Sequence, residues 1–188
     1  MFQPLLRTLG VASCALALSA GGVRWQSSAS GSHPTMPANS AVGCDTVPAY
    51  HVLDFWVGTW DVLAQGEVVG HNRIEKVVHG CALIENWTDA MGGEGKSLFY
   101  YQRARQDWKQ VWVDAGGVKE KHVVGRYDDG SVRFQGELPR PNGAYVLDRT
   151  TLSPLADGTV RQVIEQSMDG GKTWVAGFDA IYRRVGST

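Results

Sequence analysis

Residues 131–138 read Ser-Val-Arg-Phe-Gln-Gly-Glu-Leu, and their side chains alternate between polar and apolar types. In an extended chain, one face would carry Val132, Phe134 and Leu138, and the opposite face would carry Arg133, Gln135 and Glu137. A repeat of two residues is the period of a β-strand. This stretch therefore predicts a strand with one dry face and one wet face.

Similar short runs follow one another from residue 48 to the end of the chain, separated by clusters of Gly, Asp and Asn. No run sustains the 3.6-residue period of a helix, and the spacing is typical of barrels and sandwiches. The sequence predicts ten strands, near residues 55–64, 70–78, 82–89, 96–103, 108–115, 119–126, 131–138, 144–153, 159–167 and 174–184.

The links between these runs favour sequential hairpins. Asp128-Asp129-Gly130, Pro141-Asn142-Gly143 and Asp157-Gly158 contain residues that tolerate positive φ. An open antiparallel sheet would leave two unpaired edges, and closure into a barrel removes both. We therefore predict an all-β protein with an up-and-down antiparallel barrel of about ten strands. A two-sheet sandwich is the alternative.

The charge balance excludes one class of partner. The 188 residues include 19 acidic and 18 basic side chains, and 43% of the chain is apolar. This composition supports one hydrophobic core, and it provides no basic surface that would collect phosphate groups. We therefore expect no nucleic-acid partner.

The first 22 residues have the layout of a secretory signal peptide. Arg7 precedes a short apolar run that ends in small residues and is too short to span a membrane. A lipoprotein signal that ends at Cys14 is the alternative. Residues 23–47, rich in Ser, Ala, Gly and Pro, predict a flexible linker, and the folded domain is expected over 48–188. We predict a periplasmic or secreted protein with no membrane span.

Removal of the signal peptide would leave two cysteines, Cys44 and Cys81. An even number of cysteines in an oxidising compartment favours a disulfide, with two separate thiols as the alternative. Two cysteines without a nearby His or third thiol do not complete a tetrahedral metal site. We therefore predict no metal.

Two glycine-rich motifs are interpreted as structural. Residues 90–97 contain Gly-Lys-Ser, as a nucleotide P-loop does, but they lead into a predicted strand instead of a helix. Residues 167–174 resemble the Asp-box turn of sialidase propellers, but the motif occurs once, whereas a propeller repeats it in each blade. No familiar nucleophile or metalloprotease motif is present, so no catalytic residue is predicted.

Polar side chains lie among aromatic residues on several predicted strands. Glu85 shares a strand face with Trp87, and Gln110 lies between Trp108 and Trp112. Isolated polar groups among aromatics are typical of small-ligand cavities, which favours this face as the interior. Large apolar groups also occupy the other face, so alternation alone does not decide which face points into the barrel. The predicted ligand-binding residues are Glu85, Trp87, Gln110, Trp112, Gln162 and Phe178.

Four segments carry a family resemblance: Phe55–Val62, which includes Gly58-Thr59-Trp60, and Gly80–Trp87, Trp108–Asp114 and Phe178–Arg184. With these, the chain resembles a family of exported bacterial proteins that share a lipocalin-like (calycin) β-barrel domain of unknown function. The resemblance implies a lipocalin-like barrel and a bacterial source. It also implies a disulfide from the segment before the first strand to the Gly-Cys position, which joins Cys44 to Cys81.

The resemblance also implies how the barrel closes. In calycins the Trp of the Gly-x-Trp motif commonly packs beneath a basic side chain from the final strand. Alternation along that strand places Arg184 on the face of Trp174, Ala176, Phe178 and Tyr182, and Arg183 on the other face. We therefore expect Arg184 to stack on Trp60 and to donate to backbone carbonyls around residues 50–53.

We expect an exported protein that binds a small apolar or amphipathic molecule, by analogy with other calycins. One alternative is a small barrel enzyme of isomerase or hydrolase type, with Glu85 as general base. Others are a haem-binding barrel with His122 as axial ligand, and an adaptor domain. The leading prediction involves no cofactor and leaves the ligand's identity and the oligomeric state open.

Overall fold

The computed structural model describes residues 43–140 and 142–186. The predicted signal peptide, and the predicted linker up to residue 42, lie outside these ranges. Three short 3-10 helices precede the strands: η1 (Cys44–Thr46), η2 (Pro48–Tyr50) and η3 (Asp54–Trp56). Within the two described ranges, no helix has the length and apolar composition needed to cross a membrane.

Ten strands form one closed sheet in which each neighbouring pair is antiparallel. The predicted up-and-down barrel is thereby confirmed, and the sandwich alternative is wrong. The strands are β1 (Gly58–Ala64), β2 (Glu67–Val77), β3 (Ala82–Asp89), β4 (Glu94–Gln102), β5 (Asp107–Asp114), β6 (Gly117–Arg126), β7 (Val132–Pro139), β8 (Tyr145–Pro154), β9 (Val160–Ser167) and β10 (Val175–Arg184).

The largest boundary differences fall on the first two strands. β1 begins at Gly58, three residues later than predicted, because residues 54–56 form η3. β2 begins three residues earlier than predicted, because Gln65 and Gly66 take positive φ values of 54° and 89° and make a tight hairpin turn. The apolar pattern therefore located the strands, and the turn geometry set their ends.

The 3-10 helices pack across one end of the barrel, which we call the closed end. Leu53, Trp56 and Trp60 are fully buried there. The ring of Trp56 meets Phe99 and Tyr182 edge to face, at centroid distances of 5.4 and 6.0 Å. Burial of an aromatic side chain of this size contributes several kcal/mol. The aromatic cluster therefore seals this end of the barrel.

A disulfide joins Cys44 in η1 to Cys81, just before β3, which confirms the predicted pairing. Cys44 is buried in the core, and residues 44–46 are helical. Residues 44–46 therefore belong to the folded part of the chain that the structure describes. Composition assigned these residues to the linker, but the cross-link holds them on the barrel.

Pairing of β1 with β10 closes the barrel and sets Trp60 opposite Arg184. The guanidinium carbon of Arg184 lies 4.2 Å from the centroid of the Trp60 ring. Its Nη1 donates to the backbone oxygen of Val57 at 3.0 Å. The acceptor differs from the expected carbonyls of residues 50–53, because this register places the guanidinium over the start of β1.

A β-bulge interrupts the alternation of β10 between Ala176 and Phe178. Ala176 pairs with Glu165, which bonds Arg149, and Arg149 stacks on the Trp174 ring at 3.9 Å. The expectation that Trp174 and Ala176 share the inner face with Phe178 is therefore wrong. The extra residue of a bulge reverses the faces on one side of it.

Candidate ligand-binding cavity

The half of the barrel away from the closed end encloses a cavity of about 360 Å³. All six predicted ligand-binding residues lie on its lining, because each sits on the inner face of its strand. That they bind a ligand remains a prediction. The other lining residues are Val69, Asp89, Asp114, Lys119, Lys121, Asp148, Thr150, Ile164 and Tyr182.

Two indole rings lie against glycines on the neighbouring strands. The ring of Trp87 on β3 covers Gly70 on β2, and the ring of Trp112 on β5 covers Gly95 on β4. A β-carbon at either glycine would collide with the indole. Because both glycines lack that carbon, the two rings lie along the barrel wall and leave the centre open.

Phe178 on β10 completes what we call the aromatic wall, which consists of Trp87, Trp112 and Phe178. Its ring meets that of Trp87 at a centroid distance of 6.2 Å with the planes perpendicular. Edge-to-face contact of this kind is a preferred arrangement of aromatic rings. The wall therefore offers large, rigid apolar surfaces to any molecule in the cavity.

The Glu85 carboxyl group lies deeper in the barrel and is only 3% exposed. Asn72 Nδ2 donates to its Oε1 at 2.8 Å, and Ser97 Oγ donates to its Oε2 at 2.6 Å. Burial raises the pKa of Glu85, and the two hydrogen bonds offset part of that effect. The group is therefore held in a fixed position with its ionisation disfavoured.

Hydrogen bonds extend from Glu85 to further buried side chains, which together we call the polar floor: Asn72, Glu85, Ser97, Gln110, Gln162 and Tyr182. Gln110 Nε2 donates to Ser97 Oγ at 3.0 Å, and the Tyr182 hydroxyl donates to Gln162 Oε1 at 2.6 Å. Burial, and next the negative charge of Glu85, raise the pKa of Tyr182, so its hydroxyl stays protonated.

Two oxygens of the polar floor lack a hydrogen-bond partner among the described residues. They are Asn72 Oδ1 and Gln110 Oε1, and both are buried. An unsatisfied buried acceptor costs roughly 1–3 kcal/mol. The floor therefore retains hydrogen-bonding capacity that the protein itself does not use.

A buried ion pair joins Lys121 on β6 to Asp148 on β8. Lys121 Nζ also donates to Thr150 Oγ1 at 2.7 Å, and Gln166 Nε2 donates to Asp148 Oδ2 at 3.2 Å. Burial lowers the pKa of Lys121, and the attraction of Asp148 opposes this shift. The pair places two mutually compensating charges in the lining of the cavity.

Five inward-facing residues were not predicted as ligand-binding residues from the sequence: Asn72, Ser97, Tyr182, Lys121 and Asp148. A polar residue on a strand is assigned to the wet face by default, and only long-range pairing shows that these five point inward. Alternation along the last strand placed Tyr182 on the same face as Phe178. This shared face was the one sequence signal that Tyr182 points into the barrel.

His122 lies on the outer, exposed surface of the barrel, next to the inward-facing Lys121. It is therefore not an axial ligand for a haem inside the barrel, and that expectation is wrong. The sequence alone could not choose the face, because β6 carries polar residues on both sides. Among the described residues, no three His, Cys, Asp or Glu side chains form a group that could hold a metal ion.

The fold and the site together define a closed ten-stranded antiparallel barrel with an internal cavity that combines an aromatic wall and a polar floor. Comparison of the chain with protein-family models and with curated proteins found no match. Membership of the exported bacterial family that the sequence resembles therefore remains a prediction.

Proposed function

We propose that this protein is an exported binding protein for a small amphipathic molecule, which it holds in the barrel cavity. The cavity is the observation that carries the proposal. Its volume of about 360 Å³ is within the usual range for small-molecule sites. Aromatic surfaces supply burial, and a few fixed polar groups orient the ligand, which is the usual division of roles in such sites.

Export is supported by two features. The Cys44–Cys81 disulfide belongs in an oxidising compartment. The first 22 residues have the layout of a signal peptide. We therefore assign the protein to the periplasm or the exterior of the cell.

Native mass spectrometry of the protein as purified from its own host tests the binding function. We expect a small molecule bound to the folded protein that is lost on denaturation. Gly95→Ala should reduce its occupancy, because the new methyl group would push the Trp112 ring into the cavity. Gly177→Ala is the matched control, since a β-carbon there meets nothing within 4 Å. Equal occupancy in both variants would place the ligand outside the cavity.

A second candidate function is an isomerase-type or hydrolase-type enzyme with Glu85 as general base. The observation that favours it is a buried carboxyl group with a raised pKa at the edge of a cavity. Incubation of the co-purified molecule with the protein in D2O tests the isomerase form. Proton abstraction from carbon would incorporate deuterium with the wild type and not with Glu85→Gln. Absence of deuterium in both samples would count against proton abstraction by Glu85.

A further inference from the structure

We propose that the cavity takes a ligand with a protonated amine on a flat apolar body, the amine on the polar floor and the body along the aromatic wall. This inference rests on the proposed binding function and specifies its ligand class. Three independent features of the lining support it: the unused hydrogen-bonding atoms, the balance of charge, and the order of polar and aromatic side chains.

The unused atoms of the polar floor are acceptors. In the ionised form of Glu85, which a ligand cation on the floor would favour, Asn72 and Ser97 both donate to the carboxylate and their orientation is fixed. The Ser97 hydroxyl has then used its proton, so Gln110 turns its amide nitrogen toward Ser97 and leaves Oε1 unpaired. Asn72 Oδ1 is left unpaired for the same reason. A ligand that enters with N–H groups would satisfy these oxygens.

The charged groups of the lining favour a cation. Among the described residues that line the cavity, two are lysines and four carry carboxyl groups, namely Glu85, Asp89, Asp114 and Asp148. Lys121 is already paired with Asp148. A carboxylate or phosphate ligand would meet net repulsion here, whereas an ammonium group would be attracted.

Among the described residues, the cation that acts on the carboxyl group of Glu85 is Lys121, which forms its ion pair with Asp148 instead. The hydrogen-bond partners of Glu85 are neutral, and Lys121 acts on it only through a weaker electrostatic interaction. Burial of a carboxylate without a compensating cation is unfavourable. A ligand ammonium group on the floor would supply that compensation. The binding free energy should therefore be more favourable for a cationic group than for a neutral group of the same size.

The order of side chains along the strands sets the orientation of the ligand. Trp87 lies two residues beyond Glu85 on β3, and Trp112 lies two residues beyond Gln110 on β5. Two residues of a strand span about 7 Å. A flat ring joined to an amine by one carbon fits this spacing.

Three probes with the same ring system test the inference: 1-naphthylmethylamine, 1-naphthylmethanol and 1-naphthoate. Isothermal titration calorimetry with the full chain at neutral pH measures their affinities. We expect the amine to bind about tenfold or more tightly than the alcohol, and the naphthoate to bind most weakly. Equal affinities, or a preference for naphthoate, would overturn the amine inference and leave the binding function standing. No binding of any probe would count against the proposed function itself.

Glu85→Gln sharpens the test, since the amide keeps the shape of the side chain and removes its charge. The affinity for the amine should fall about tenfold, and the affinity for the alcohol should change little. Glu75→Gln, on the outer face of β2, is the matched control and should change neither affinity. Should Glu85→Gln fail to fold, the comparison of the three probes on the wild type still decides the question. An equal loss for the amine and the alcohol would show that Glu85 shapes the cavity without selecting a cation.

Discussion

The two halves of the barrel fill their interiors in different ways. At the closed end, Trp56, Trp60 and Leu53 exclude water with apolar surface, and a disulfide and a stacked arginine support them. In the cavity half, the interior holds a carboxyl group, amides and an ion pair around open space. One continuous set of ten strands supports both arrangements.

This difference indicates where stability and function reside. Apolar burial is favourable without precise geometry, whereas buried polar groups stabilise the fold only when their partners are in place. The closed end, where Trp56 Nε1 also lacks a hydrogen-bond partner among the described residues, can therefore stabilise the barrel, while the cavity half carries two unsatisfied acceptors and a poorly compensated charge. Unsatisfied groups of that kind are a feature of binding sites.

The largest effect is expected from the buried ion pair. Lys121→Met leaves Asp148 buried without its cation, and should lower the free energy of unfolding by about 3–5 kcal/mol. Denaturant unfolding measures this change. Lys109→Met is the matched control, because its ion pair with Glu120 is partly exposed and contributes at most about 1 kcal/mol. Similar losses in the two variants would mean that the cavity half does not depend on internal charge compensation.

At the closed end, the disulfide should have nearly as large an effect. Replacement of both Cys44 and Cys81 by Ser opens a loop with a sequence separation of 37 residues. The chain-entropy model predicts a loss of about 4 kcal/mol. Thermal melts of the double variant, and of wild type with reductant, should show similar decreases in Tm. An unchanged Tm in both experiments would show that aromatic packing alone holds η1 on the barrel.

Arg184 should contribute less than the disulfide. Arg184→Ala removes the stacking on Trp60 and leaves the carbonyl of Val57 without this donor, so we expect a loss of about 1–3 kcal/mol. Arg183→Ala should change stability by about 0.5 kcal/mol or less, because that side chain is half exposed on the outer face. Thermal melts of the two variants measure the contrast, and equal shifts would remove Arg184 from the closure of the barrel.

The smallest effect concerns Asp169, in the β9–β10 turn at the cavity end. Backbone and side-chain hydrogen bonds, chiefly from Thr173, lower its pKa to about 2. A lowered pKa stabilises the fold at pH values above the ordinary range near 4, and that contribution disappears as the pH falls toward 2. The Tm advantage of wild type over Asp169→Asn should therefore be present at pH 7 and absent near pH 2. An advantage that persists at pH 2 would show that the charge is not responsible.

The strand positions and the closure were accessible from the sequence, because alternation and turn residues are local signals. The disulfide was accessible from the family resemblance and from the cysteine count expected after removal of the predicted signal peptide. The ion pair was not. Both faces of β6 carry polar side chains, so alternation does not show which face points into the barrel. These side chains are Lys119, Glu120, Lys121 and His122. Likewise, the bulge before Phe178 depends on pairing with β9 and leaves no distinct pattern in the chain.

The residues of the polar floor could also be predicted only in part from the sequence. Glu85 and Gln110 were recognisable because aromatic residues flank them, whereas Asn72 lies between His71 and Arg73 in a polar stretch. Its hydrogen bonds go to residues 13 and 110 positions away in the chain. Local sequence context is sufficient to predict candidate lining residues, whereas only the three-dimensional pairing determines which of their atoms have hydrogen-bond partners.

The two glycines behind the indoles have an evolutionary consequence. Every glycine codon becomes an alanine codon through a single base change. At Gly70 or Gly95, that change would add the methyl group that displaces an indole into the barrel. One point mutation at either position would thus begin to fill the cavity with an indole ring, without altering a strand or a turn. A lineage could lose or regain a ligand-sized space in one mutational step, while the closed end continued to hold the fold.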